Sequence, residues 1–145
     1  MRSAPLLAVI AALALAGCGG GGGGAASYRA AATKICEDAN RRAAAVERPK
    51  DVAALRGYLD KTLAIVESDT ARLRALKPPP DLKPGHEVAL RLQEEAIARL
   101  RALLAQLNAG KASVPALQAA LSEVQSLSNQ ADREFRALGL QRCAQ

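Results

Sequence analysis

From residue 27 onward, apolar residues recur every three or four positions, the period of a helix with one buried face, and they do so in four separate runs. The first, over about 27–47, sets Tyr28, Ala32, Ile35, Ala39, Ala43 and Val46 on one stripe, with Glu37/Arg41 and Asp38/Arg42 as outward i,i+4 pairs. It stops at Pro49. The second, about 51–76, carries Val52, Leu55, Leu59, Leu63, Val66, Thr70, Leu73 and Leu76, opens on Asp51 as N-cap, and places Arg72, Arg74 and Lys77 near the negative end of the helix dipole. Pro78-Pro79-Pro80 then forbids continuation. A third helix begins between Asp81 and His86 and runs to about Asn108 on Leu92, Ala96, Ile97, Leu100, Leu103, Leu104 and Leu107. The fourth opens on Ser113 as N-cap with Pro115 in its first turn, carries Val114, Leu117, Leu121, Val124, Leu127, Ala131, Phe135 and Leu138, and ends at Gly139 in a Schellman turn that folds Leu140 back on Phe135. Four helices with short connections favour antiparallel neighbours, so the expected fold is all-α, an antiparallel up-down four-helix bundle.

Composition agrees. Alanine, leucine and arginine dominate, the aromatics are only Tyr28, Tyr58 and Phe135, and no run of alternating β-branched residues suggests a strand. Residues 27–145 suffice for one cored domain and not for two.

Ahead of the helices the pattern changes. Met1-Arg2 is a charged start, Pro5 to Ala16 is an apolar run, and Leu15-Ala16-Gly17-Cys18 leads into six glycines, Gly19 to Gly24. A charged n-region, a short apolar core and a small-residue site are the parts of a cleaved secretory signal. The core is shorter than the roughly 20 residues a spanning helix needs. The order resembles the signal peptide and lipobox of bacterial lipoproteins, which implies cleavage after residue 17 and lipidation of Cys18. The alternative is an ordinary signal-peptidase site with an incidental cysteine. The diacylglyceryl group that the resemblance implies supplies two chains of palmitate type, enough for stable attachment. Residues 1–17 would then be signal peptide, 18–26 the lipidated cysteine and a Gly-rich linker, and 27–145 the bundle. The linker spans about 15 Å, keeping the domain near the headgroups. The chain has 20 basic and 14 acidic residues, a net charge of +6, and cleavage removes only Arg2 from that balance. The excess favours anionic lipids or wall polymers, or simply serves solubility.

With Cys18 lipidated, Cys36 and Cys143 form an even pair in an extracytoplasmic protein. An up-down bundle brings the start of its first helix and the end of its fourth to one end, so the two can meet as a disulfide; two separate thiols are the alternative. Ile35-Cys36, Leu73-Arg74-Ala75-Leu76-Lys77-Pro78-Pro79 and Leu138-Gly139-Leu140-Gln141-Arg142-Cys143 resemble a group of uncharacterised helical lipoproteins of high-GC Gram-positive bacteria. That resemblance implies a bundle and a disulfide, and it carries no catalytic residues.

Motifs for chemistry are few. His86 is the single histidine, and His86-Glu87 is followed by Leu90 where a zinc-protease helix needs its second histidine, so His86 reads as a surface or loop residue. Glu94 and Glu95 lack the Glu-x-x-His partner of carboxylate-bridged bundles. There is no GxSxG, P-loop, dinucleotide fingerprint or CxxCH, and the bases are neither clustered nor interleaved with aromatics as nucleic-acid binding requires. No enzyme, cofactor or metal is expected. Between Lys111 and Asp132 the fourth helix carries one charge, Glu123, and its outward positions include Gln118, Ser122, Gln125 and Asn129. Charge depletion marks interface cores, so these four form a candidate interface for an envelope protein or wall polymer, the alternative being a helix whose polar residues face water. The expected function is a non-catalytic interaction or structural module, anchored by lipid to the outer face of the cytoplasmic membrane, or periplasm-facing in a Gram-negative cell. A carrier of a small apolar ligand or lipid in a cleft of the bundle is the second expectation.

Overall fold

The computed structural model describes residues 24–144, which form four α-helices, a terminal 3-10 turn and no strand. The expected signal peptide and lipobox, with Cys18, and the glycines up to residue 23 lie outside the described residues. Helix α1 spans Ala25–Ala44, α2 Val52–Arg74, α3 Lys83–Asn108 and α4 Val114–Ala137, and the 3-10 turn spans Gln141–Cys143. Ala25 and Ala26 thus belong to α1 rather than to the tether, as suits the strongest helix-forming residue. None of the helices is long and apolar enough to cross a membrane.

The ends form for local reasons. Asp51 Oδ1 accepts from the Ala54 amide at 2.8 Å and Ser113 Oγ from the Ala116 amide at 3.3 Å, each satisfying an amide that the first turn leaves without a partner. Helix α4 closes in the expected Schellman turn: Gly139 has φ +79°, its amide donates to the Arg136 carbonyl, and the Leu140 amide donates to the Phe135 carbonyl at 2.8 Å. Gly110, with φ +65°, ends α3 the same way.

The core has two parts. At one end Tyr28, Ala32, Ile35 and Cys36 of α1, Leu73 of α2, Ala89 and Leu90 of α3, and Ala131, Phe135, Leu138 and Leu140 from α4 and its exit pack together, with Phe135 and Leu140 fully buried. At the other end Leu63, Ile97 and Leu104 form a smaller cluster drawn from α2 and α3 alone. Past Cys36, α1 buries no residue. Two expectations fail there. Val114 and Leu121, placed on the core stripe of α4, are 67% and 41% exposed. Periodicity marks an apolar face, and at this end no part of α1 is buried against it. Glu37 does not pair with Arg41: it meets Arg142 at 3.3 Å, while Arg41 takes Asp38.

Candidate functional site

The two ends of the described chain are joined through the last residues. Cys36 and Cys143 lie at disulfide distance, with sulfurs 2.01 Å and Cα atoms 5.0 Å apart. Around them Arg29 Nε donates to the Leu138 carbonyl at 2.8 Å and Asn40 Nδ2 to the Arg142 carbonyl at 2.9 Å. Among the described residues no Cα of α1 comes within 8 Å of a Cα of α4, so α1 meets α4 only through side chains of the shared core, while the segment after α4 brings its backbone close to α1.

The separation of α1 from α4 leaves a cleft. Its larger chamber, about 210 Å³, is lined by residues of all four helices, among them Asn40, Val66, Gln93, Ile97, Leu100, Val124, Ser128 and Asp132, with Cys143 at one side. An adjoining chamber of about 140 Å³ shares Asn40, Val66, Gln93 and Cys143 and adds Cys36, Ile65, Asp69 and Leu73. Seven and fourteen residues before Ser128, on the same line of α4, stand Leu121 and Val114. The exposed apolar positions therefore continue the α4 wall of the cleft. A further concavity at the α1–α2 connection is lined by Glu47, Arg48, Lys50, Asp51 and Lys61 around Tyr58, charges of both signs on exposed chain.

Polar groups at the cleft are held by neighbours. Asp69 has a side chain only 7% exposed; its Oδ1 accepts from Arg42 and, at 3.0 Å, from Arg72, whose Nη1 also donates to Asp38 Oδ2 at 2.7 Å. That hydrogen bond from Arg72 holds the Asp38 carboxyl below the usual carboxylate range. Asp69 Oδ2 is buried with no hydrogen-bond partner among the described residues. Gln93 Oε1 accepts from Thr70 Oγ1 at 3.2 Å, and Asp132, nearly buried, lies 4.0 Å from Arg136.

His86 is not on the surface. It lies in the first turn of α3, 4% exposed, with its Nδ1 2.8 Å from the Tyr28 hydroxyl and the two rings edge to face at 5.6 Å. Burial, helped by the Arg74 charge, lowers the histidine pKa, and burial raises that of the Tyr28 phenol. The neutral imidazole is thus spent on fixing the start of α1 to the start of α3. Among the described residues no group of three His, Cys, Asp or Glu side chains is placed to share a metal ion.

Of the residues singled out from the sequence, Gln118, Ser122, Gln125 and Asn129 are all exposed on α4, with Gln125 Nε2 donating to Asn129 Oδ1 at 3.0 Å. Cys18 lies outside the described residues. Sequence reasoning missed Asp69 and Asp132 as cleft residues. Asp69 carried a signal, since it falls three residues after Val66 and four before Leu73, inside the apolar period of α2. No family model, curated protein or solved structure matches the chain.

Proposed function

We propose that this chain is a lipid-anchored, non-catalytic interaction module of the cell envelope, tethered through Cys18 and the glycines after it, with the outward face of α4 offered to an envelope protein or wall polymer. The observation that carries this is the exposed, charge-poor face of α4. Gln118, Ser122, Gln125 and Asn129 stand on it beside Leu121 and Val114, the large apolar residues left exposed among the described ones. Polar amides beside exposed apolar side chains, with little charge to desolvate, suit a docking surface. The lipobox pattern at Leu15-Ala16-Gly17-Cys18 supports the anchor, and the Cys36–Cys143 pair suits an oxidising compartment. His86, the residue best suited to acid–base work, is buried on Tyr28, which supports a non-catalytic role.

The arrangement that presents this face is an up-down bundle opened along one seam. Arg42 with Asp69 and Arg72 with Asp38 pair α1 and α2 in opposite directions, Arg101 with Glu67 and Arg74 with Glu94 do so for α2 and α3, and Arg99 with Glu123 ties α3 to α4. Lysine at both Gln125 and Asn129 tests the interface: in-cell crosslinking from α4 is expected to fall sharply while the fold is kept, and unchanged crosslinking would refute it.

The cleft favours a second reading, a carrier of a small apolar ligand. Its walls combine apolar side chains with a few convergent polar groups, the usual make-up of a ligand site.

A further inference from the structure

We infer that the open end of the seam between α1 and α4 takes an acidic amphipathic helix of another envelope protein. The inference rests on the interaction-module reading and narrows its partner to one chemical class. On the α4 side Val114, Leu117, Leu121 and Val124 recur at helical spacing, and each is exposed or half-buried. The α1 side is low, with Ala43 and Ala44 exposed. Asn40 and Ala43 line both the chamber beside Cys36 and an open concavity of about 530 Å³ that runs on past Val46 to Tyr58. The floor between the two sides includes Val66, Ile97 and Leu100. A groove with one wall of small residues, one of large apolar residues and an apolar floor suits the apolar face of a helix.

Charge chooses the partner. The α1–α2 and α3–α4 connections meet at this end, where Arg56 donates to the Leu107 carbonyl at 3.1 Å. Residues 41–61 and 99–123, which flank them, hold nine bases and four acids, whereas the other described residues hold ten of each. The excess charge of the described chain therefore sits entirely at the open end. Among these residues Arg48, Lys61 and Lys111 are exposed without an ion pair, against Asp60 alone, since Asp51 is spent on its cap. Two such ends repel, which argues against a second copy as occupant, whereas acidic flanks on a helix gain attraction from this rim. Gln125 and Asn129 lie on α4 away from the rim, where a lysine would have to shed water against the partner. The 20 residues of α1 rise about 30 Å from Gly24, where the tether leaves, so in the anchored reading the open end is the one farther from anionic lipid.

The test sets three peptides of about 18 residues, long enough to form a helix, against the full chain bearing Cys18→Ser, which purifies without lipid. One has leucine at helical spacing with glutamate and alanine elsewhere, the second has lysine in place of glutamate, and the third is the first with its leucines scrambled. Affinities come from calorimetry, and the side-chain amide signals of Gln118 on α4 and Asn40 on α1 report position. The acidic amphipathic peptide is expected to bind at least about tenfold tighter than either other and to shift both amides. Its affinity should fall in Leu121→Ser, and its lead over the lysine peptide should shrink in Arg48→Glu/Lys61→Glu, all three being exposed positions that the fold does not need. Equal affinity for the scrambled peptide would mean that any polyanion suffices and would overturn the helix. Equal affinity for the lysine peptide would overturn the choice by charge. Tighter binding to phosphatidylglycerol vesicles, lost in Leu121→Ser, would give the surface to lipid and overturn a protein partner. Absence of binding by all three peptides would overturn the inference, while the crosslinking from α4 still judges the interaction module by itself.

Discussion

At the scale of single residues, burial of His86 against Tyr28 ties stability to pH with a definite sign. The histidine pKa is lowered in the folded chain, so below 6.5 the unfolded chain binds a proton that the folded one resists. Stability is fully present above that value, declines as pH falls towards the folded pKa, and then levels off. Asp38, whose carboxyl is also lowered, adds its own loss only around and below 3.8. Tyr28 acts at the other extreme, where its raised pKa makes stability fall as pH rises past 10. Urea midpoints are expected to drop between pH 7 and pH 5, and this dependence should vanish in His86→Gln; a flat profile in the unsubstituted chain would contradict the buried pair. Tyr28→Phe is expected to cost about 1 kcal/mol at pH 7 by leaving the imidazole nitrogen unpaired. Little of this is legible in the sequence. A lone histidine just after three prolines has no periodic context, and its burial depends on a tyrosine 58 positions away. Cys36 and Cys143 are different, because their places near the two ends of the helical region, together with chain order, bring them to one end of the molecule.

At the scale of elements, caps and turns follow from local sequence and are legible there. Asp51, Ser113 and Gly139 sit where the periodic runs begin and end, and each takes the role its chemistry suits. Gly139→Ala is expected to destabilise by about 1–2 kcal/mol, since an L side chain at φ +79° is strained and its Cβ would stand 3.0 Å from Arg29 Nε, which holds the Leu138 carbonyl. Thermal melts of Gly139→Ala beside Gly57→Ala, whose added Cβ meets nothing within 4 Å, separate this strain from a general effect of replacing glycine. What the period of α4 does not reveal is coverage. Val114 and Leu121 obey the helical repeat as faithfully as Phe135, and their exposure depends on where α1 stops burying side chains.

At the scale of the whole molecule, the seam between α1 and α4 is closed at one end by a core of all four helices and the disulfide pair, and open at the other. The all-helical class and the helix order are legible from periodicity, because each run states its own type. The cleft is not, because it arises from the distance between two helices whose backbones stay apart. Closing a loop with a sequence separation of 107 makes the disulfide worth about 5 kcal/mol in the chain-entropy picture. Reductant is therefore expected to lower the denaturant midpoint of the intact chain strongly and to leave Cys36→Ser/Cys143→Ser unchanged; equal midpoints with and without reductant would speak against the bond. Function at this scale depends on where the module is held. It is best tested on protein taken from the envelope of cells fed an alkyne-tagged palmitate, by intact mass and N-terminal sequencing. A tagged chain beginning at Cys18, with residues 1–17 gone, is the expected result, and an untagged chain or one beginning elsewhere would contradict a lipid-anchored module.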